Sequence, residues 1–243
     1  MPTSDRKSQS QSLRALLTLR DMVLSGALPA GERLYEVALS EQIGISRTPL
    51  RDALTRLHQE GLLDRLANGG YAVRVFSFAD VIDAIELRGV LEGTAARIAA
   101  ERGADTGALG RIVDRLDAVL AAGPAQMDFT AYADLNAAFH QCLATLPGSA
   151  TIRLEVERAT KLPFASPSAF LDAQSDMLDF RQSLSVAQGQ HRDMLDAIQR
   201  REGARAEHIA REHARLARKN LEYVIRHDRS LIKKVPGLSL VAG

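Results

Sequence analysis

The sequence predicts a mainly α-helical protein, with an N-terminal winged helix-turn-helix domain and a C-terminal all-α helical bundle. Three helices and two candidate strands occupy the first third of the chain, and the helical patterns beyond them are separated only by glycines and prolines. At 243 residues and 46% hydrophobic content, the chain is long enough for two cores. The predicted segments are a disordered N-terminus at 1–8, the winged domain at 9–76, the helical domain at 77–227 and a flexible tail at 228–243.

Composition limits the kinds of protein this chain can be. The net charge is +1, so any nucleic-acid-binding surface must be a local concentration of arginine rather than a basic field over the whole molecule. The single cysteine, Cys142, excludes an internal disulfide framework and fits a reducing cytosol. No apolar run approaches the ~18 residues of a membrane span, and the polar N-terminus does not read as a signal peptide. We therefore expect a cytoplasmic protein with no membrane contact.

The clearest local pattern lies around Ser46. A short helix over 36–43 ends at Gly44, which supplies the left-handed backbone that a tight turn between two helices needs. Ser46 is placed to cap the second helix with its hydroxyl, and Pro49 falls in the first turn, where a missing N–H costs nothing. The apolar residues of this second helix recur at the spacing of one buried face, namely Leu50, Ala53, Leu54 and Leu57. The pattern predicts a helix-turn-helix.

A flank beside that apolar face carries side chains suited to DNA. Arg47, Thr48 and Arg51 lie together on it and point outward. Arginine can donate two hydrogen bonds to O6 and N7 of guanine, or bind a phosphate. Two short strands follow, joined at the glycine-rich tip Asn68-Gly69-Gly70, which favours a hairpin wing.

Four runs of sequence resemble the winged-helix domain of GntR-family transcription regulators: Leu28-Pro-Ala-Gly-Glu-Arg-Leu34, Gly44-Ile-Ser-Arg-Thr-Pro-Leu-Arg-Asp-Ala-Leu54, Leu57-His-Gln-Glu-Gly-Leu62 and Gly69-Gly-Tyr-Ala-Val73. The resemblance covers roughly residues 10–75 and implies binding to double-stranded DNA. The expected DNA-binding residues are Arg33, Ser46, Arg47, Thr48, Arg51, Gly69 and Gly70. The alternative is a winged helix used only for protein contacts.

Helical phase separates the six histidines into two groups. His140, His191 and His213 fall among apolar residues of their predicted helices and point inward, and Asn136 lies one turn before His140 on the same face. Three inward imidazoles from three helices can converge on a divalent metal, with Zn, Ni, Cu or Fe favoured over Ca or Mg. The alternative is that they are core histidines, each with its own hydrogen bond.

Arg88 and Glu92 form a charge pair in the middle of an apolar helix face that follows Ser77. A buried charge without a partner is strongly unfavourable. Two interpretations stay open. Either the two side chains satisfy each other or a dimer partner, or Arg88 binds the carboxylate of an effector above the metal.

The helical domain resembles the FCD ligand-binding domain found in the FadR-type branch of the GntR family. Such domains carry an aspartate four residues before the first histidine, in a D-x-x-F-H pattern, and two further histidines in the last two helices. Here Leu135-Asn-Ala-Ala-Phe-His140 matches except that Asn136 replaces the aspartate, and Glu86-Leu-Arg88 with Leu91-Glu92 is similar to the opening helix. The resemblance implies metal ligation by Asn136, His140, His191 and His213, with Zn or another transition metal bound less tightly than by members with aspartate.

The stretch Lys161-Leu-Pro-Phe-Ala-Ser-Pro-Ser-Ala-Phe170, together with Asn136, resembles the vanillate-responsive (VanR-like) repressors of this family. This likeness implies an aromatic acid as the effector. The effector-binding residues would be Arg88, Glu92, Phe164 and Phe170. For either phenylalanine alone, ordinary packing of a loop is the alternative.

The sequence therefore predicts a ligand-responsive repressor. A homodimer would place two recognition helices about 34 Å apart on a pseudo-palindromic operator, and a small carboxylate bound in the helical domain would alter DNA binding. The second hypothesis is a metal-dependent enzyme acting on a small organic acid, because three histidines with an open position also describe a catalytic zinc. No inward-facing carboxylate lies near the three histidines in sequence, although Glu92 could approach them in space.

Overall fold

The computed structural model describes residues 3–168, 175, 177–227 and 237–242. The chain divides into two compact units. The first comprises Met1–Asp80 with Pro236–Gly243, and the second comprises Val81–Val235. In the part of the chain that the structure describes, no helix is long and apolar enough to cross a membrane.

The first unit is a winged helix-turn-helix. Its elements are α1 (Thr3–Leu24), β1 (Arg33–Leu34), α2 (Glu36–Ile43), α3 (Arg47–Gln59), β2 (Leu63–Arg65) and β3 (Tyr71–Val73). The three strands form an antiparallel sheet in the order β1-β3-β2, with Leu34 opposite Tyr71 and Asp64 opposite Ala72. Leu50 and Leu54 of α3 are fully buried, as the periodicity predicted. This unit confirms the predicted N-terminal fold.

Three local features of this unit differ from the sequence predictions. The helix α1 begins at Thr3, within the segment expected to be disordered. Residues 3–8 contain no glycine or proline, so the helix whose later residues are buried can extend through them. Strand β1 was missed because two residues are too few to show an alternating pattern. The hydroxyl of Ser46 makes no capping hydrogen bond, and its carbonyl instead accepts the N–H of Leu50 at 3.3 Å.

The end of the chain packs against the first unit. Leu238 and Leu240 are buried, the N–H of Phe76 donates to the Leu240 carbonyl at 2.9 Å, and the N–H of Ala242 donates to the Phe76 carbonyl at 2.8 Å. A parallel bridge joins Phe76 to Val241. The predicted flexible tail is therefore wrong for residues 237–242, since two leucines there add apolar surface to the core. Residues 228–236 lie outside the described residues.

The second unit is an all-α bundle, as predicted. Its helices are α4 (Phe78–Arg102), α5 (Gly107–Ala121), α6 (Phe129–Thr145), α7 (Ala150–Ala159), α8 (Leu178–Gln199) and α9 (Gly203–His227). Helix α4 begins with the predicted capping box, in which the N–H of Ser77 donates to Asp80 Oδ2 at 2.7 Å and the N–H of Asp80 donates to Ser77 Oγ at 3.2 Å. The sequence predicted a break near residue 188, but α8 is continuous there, because a single glycine, Gly189, is tolerated inside a helix.

Helices α4 and α9 approach closely at two glycines. A Cβ added to Gly89 would lie 2.8 Å from the Ala214 Cβ, and one added to Gly93 would lie 2.9 Å from the Glu207 carbonyl oxygen. The absence of side chains at these positions lets α9, which carries His213, lie against the face of α4 that carries Arg88 and Glu92.

We expect Gly93→Ala to destabilise the helical unit. The new methyl group would overlap backbone, so the overpacking cost of about 1–3 kcal/mol exceeds the gain in helix propensity. Thermal unfolding followed by circular dichroism measures the change. Gly189→Ala is the matched control, because its Cβ would meet nothing within 4 Å, and it should stabilise by about 0.4–1 kcal/mol. A Gly93→Ala protein as stable as the wild type would contradict the close approach.

Candidate metal and anion site and candidate DNA-reading surface

The structure brings three histidines together inside the second unit. His140 comes from α6, His191 from α8 and His213 from α9, and all three are buried. One ring nitrogen of each lies within 4.8 Å of the others, and the Nε2 atoms of His191 and His213 are 3.1 Å apart. The three histidines therefore point into the bundle, as helical phase predicted.

Each of these rings has a side-chain oxygen within hydrogen-bonding distance of its Nδ1. The oxygen is Glu92 Oε1 for His140 at 2.9 Å, Gln188 Oε1 for His191 at 3.0 Å and Gln190 Oε1 for His213 at 3.0 Å. An imidazole that donates from Nδ1 keeps the Nε2 lone pair free. Acceptors at Nδ1 are also the usual support of metal-binding histidines. The cluster thus presents three nitrogen donors to one point, which fits Zn or another transition metal.

Burial favours the neutral form of two of the three rings, His191 and His213. Burial lowers the pKa of His191 well below its ordinary value, and the neighbouring His213 and His140 lower it further. Burial also lowers the pKa of His213 to about 3. For Glu92, burial raises the pKa, but the adjacent His140 and Arg88 outweigh this and bring it to about 2. At neutral pH, Glu92 is therefore a carboxylate and two of the rings have a lone pair ready for metal.

Asn136, predicted as a fourth ligand, is buried beside the cluster. Its Nδ2 lies 3.5 Å from the Pro167 carbonyl, and the residue shares a cavity wall with His140. The structure joins Asn136 to Pro167 rather than to the histidines. Its role as a ligand stays a prediction.

A cavity of about 300 Å³ lies next to the histidines and contains a buried arginine. Arg88, Tyr132, Asn136, His140 and His213 contribute to its wall. Arg88 is 2% exposed, and its Nε lies 3.9 Å from Glu92 Oε2. Its Nε and Nη1 have no hydrogen-bond partner among the described residues. Burial lowers the pKa of Arg88, and Glu92 opposes that effect. A buried guanidinium that lines a cavity and has nitrogen donors without a partner among the described residues is a candidate site for an anion.

Two of the other predicted effector contacts lie elsewhere. Glu92 is absent from the wall of this cavity and is engaged by His140; it lines a second cavity of about 460 Å³ that shares His140 and Pro167 with the first. Phe164 is fully buried and is not among the lining residues, which opposes a direct ring contact with an effector, because its apolar ring is taken up by the core. Phe170 lies outside the described residues.

In the first unit, the predicted DNA-contacting residues are on the surface. Gly44 adopts the left-handed conformation (φ 65°) between α2 and α3, and the side chains that follow at 46–48 are exposed. Arg51 is exposed and pairs with Glu36, with Nε 2.6 Å from Oε2. The hydroxyls of Thr55 and Tyr71, 3.2 Å apart, connect α3 to the strand β3.

The wing tip is built from two glycines in the left-handed region, Gly69 at φ 87° and Gly70 at φ 83°. The Nη2 atom of Arg33 lies 3.5 Å from the Gly69 carbonyl. Neither glycine packs against a neighbour within 4 Å of a Cβ position. The tip is therefore open to contact from outside.

A winged helix-turn-helix joined to a helical unit with a buried histidine cluster is the architecture of a class of DNA-binding transcription regulators. The match to the family model "Bacterial regulatory proteins, gntR family" covers residues 11–73, and the match to the FCD domain model covers residues 83–216. The chain belongs to the gntR family and carries an FCD domain.

Individual relatives agree with this assignment. The Nta operon transcriptional regulator of Aminobacter aminovorans is 45% identical over 84 residues, which is 35% of this chain and 40% of that protein. An uncharacterized HTH-type transcriptional regulator in an unstable DNA locus of Streptomyces ambofaciens is 31% identical over 88% of this chain and 86% of its own length. The E. coli McbR/YncC structure has the same fold, with a TM-score of 0.58 at 19% identity over 89% of this chain and 97% of that one. The two family models and the two sequence relatives are of transcription regulators and not of enzymes, so the enzyme hypothesis is set aside.

Proposed function

We propose that the protein is a cytoplasmic, homodimeric repressor whose DNA binding is controlled by a small carboxylate. The observation that carries this proposal is Arg88, a buried guanidinium with two nitrogens that lack a partner among the described residues, because Arg88 also lines a cavity together with His140 and His213. A buried cation without a full set of partners is unfavourable, and an anionic ligand would supply the missing hydrogen bonds.

The size and lining of the cavity favour a ring-bearing acid. Ligand cavities begin at about 300 Å³, which is the volume here. The aromatic residue Tyr132 and the apolar residues Leu184 and Leu216 are among those that line it. Together with the likeness to vanillate-responsive repressors, this supports an aromatic carboxylate such as vanillate as the effector.

A divalent metal, with zinc as the first candidate, would be held by His140, His191 and His213. When bound, the ion would supply a positive charge and an open coordination position for a carboxylate oxygen. The protein's own part is to hold the rings, through the acceptors at Nδ1, and to exclude bulk water by burying them. Asn136 would be a fourth, neutral ligand.

On the DNA side, α3 would enter the major groove and the wing would contact the flanking backbone. Arg51 is held by Glu36 in an exposed ion pair. Such pairs contribute only about 0–1 kcal/mol, so DNA could replace Glu36 as the partner of Arg51 at little cost. Two copies of the chain would bind the two halves of a pseudo-palindromic operator.

A thermal-shift screen tests the effector proposal. We expect an aromatic carboxylate such as vanillate, added with zinc, to raise the melting temperature by about 5–10 °C at a hundred times its dissociation constant. Vanillyl alcohol, which lacks the carboxylate, should not shift it. In Arg88→Met the response to vanillate should disappear. An equal shift with the alcohol, or a full response in Arg88→Met, would contradict the role of the guanidinium.

A further inference from the structure

One buried amide beside the histidine cluster has its orientation fixed from behind. Gln188 is 1% exposed and precedes His191 by one turn of α8. Its Nε2 donates to the Val113 carbonyl at 3.0 Å and to Asp117 Oδ1, both on α5. Its Oε1 faces Nδ1 of His191 at 3.0 Å.

The two partners on α5 determine the orientation of the Gln188 amide. A backbone carbonyl only accepts hydrogen bonds, and so does an ionised carboxylate. Asp117 is ionised because, although burial opposes it, hydrogen bonds from Arg192 and Gln188 lower the pKa of its carboxyl. Arg192 holds that carboxylate with two bonds, of 2.9 and 2.6 Å. The nitrogen end of Gln188 must therefore point to α5, and its oxygen end must point to His191.

The orientation of Gln188 determines where the proton of His191 lies. An amide oxygen can only accept, so Nδ1 of His191 must carry the hydrogen. The neutral ring has one such hydrogen, which leaves Nε2 as a bare lone pair that points at His213.

Gln190 provides an internal contrast. Its Oε1 faces Nδ1 of His213 at 3.0 Å, but among the described residues no second partner fixes which end of the amide points to the ring. This amide is free to turn over and accept or donate, so His213 can adopt either tautomer. Without metal, the 3.1 Å contact between the Nε2 atoms of His191 and His213 is then a hydrogen bond in which His213 donates and His191 accepts.

We propose that Gln188, held by Asp117 and the Val113 carbonyl, is a positioning residue that fixes His191 as a preformed metal ligand, whereas His213 adjusts its tautomer when the ion binds. Gln188 acts through His191 and does not itself touch the metal. The affinity part of this inference rests on the proposed metal site, and the tautomer part does not.

The first experiment needs no metal. Long-range ¹H–¹⁵N NMR of the metal-free wild-type protein separates a protonated from an unprotonated ring nitrogen. We expect His191 to carry its proton on Nδ1. In Gln188→Met, which keeps the length of the side chain but removes the amide, we expect the Nε2–H form of His191 to become populated. In Gln190→Met, His191 should be unchanged. A wild-type His191 protonated on Nε2, or an unchanged tautomer in Gln188→Met, would overturn the proposal.

The second experiment measures zinc affinity by competition with a chelator. Loss of such a supporting residue typically weakens metal binding about 10–100-fold, and we expect this for Gln188→Met. We expect less than about a threefold loss for Gln190→Met, because that amide is not fixed. Equal losses of zinc affinity in the two variants would contradict the proposed difference between His191 and His213. A wild type that binds no zinc would defeat the proposed metal site, while the tautomer measurement would still decide the role of Gln188.

Discussion

The double variant Arg47→Ala, Arg51→Ala should bind operator DNA at least about thirty-fold more weakly than the wild type. Each arginine that contacts a base edge with two hydrogen bonds contributes about 1–3 kcal/mol, so removal of two gives a loss of this size or larger. Both side chains are exposed, which means that the fold should not suffer. The measurement is a fluorescence anisotropy titration with a DNA fragment that the wild-type protein selects from a random pool.

Arg56→Ala is the matched control for this experiment. Arg56 is also exposed on α3, but helical phase places it well away from the flank that carries Arg47 and Arg51. Its loss should change the affinity by less than about threefold. Near wild-type binding by the double variant would mean that α3 does not read the operator. A uniform loss on all DNA sequences would instead indicate phosphate contacts alone.

The second large effect concerns the histidine cluster. We expect His140→Ala, His191→Ala double substitution to abolish zinc binding, because two of the three imidazole donors are lost. In the wild type, saturating zinc should raise the melting temperature by about 5–10 °C, and a chelator should reverse the rise. The double variant should show neither response.

His208→Ala controls for the removal of an imidazole from the same bundle. His208 lies on α9, as does His213, but it is exposed. This variant should keep the full response to zinc. A zinc response that survives in the double variant would place the ion elsewhere, and the histidines would then be core residues with separate hydrogen bonds.

The helices and the β2–β3 hairpin of the first unit could be predicted from the sequence because their signals are local. The spacing of Leu50, Ala53, Leu54 and Leu57 defines one helix face, and Gly44 marks the turn. The docking of residues 237–242 was not predictable in this way, because Leu238 and Leu240 find their partners through contacts more than 150 residues away in the chain. Strand β1 could not be predicted either, since two residues are too few to show an alternating pattern.

In the helical unit, phase identified which histidines point inward but not what holds them. Helical periodicity shows which residues share a face of one helix. It does not show how far that helix is shifted along its axis relative to its neighbour. The contact between Glu92 and His140, 48 positions apart in sequence, depends on that shift. Gln188 was missed for a simpler reason: a polar residue three positions before His191 lies on the same inward face, and that signal was available.

The most direct test of the account joins its two halves in one experiment. Vanillate is titrated into the zinc-loaded complex of the wild-type protein with its selected operator, and release is followed by fluorescence anisotropy. We predict release over the vanillate concentrations that raise the melting temperature, and we expect the Arg88→Met complex to stay bound to DNA. Release of the Arg88→Met protein at the same vanillate concentrations would contradict the claim that the buried guanidinium senses the effector.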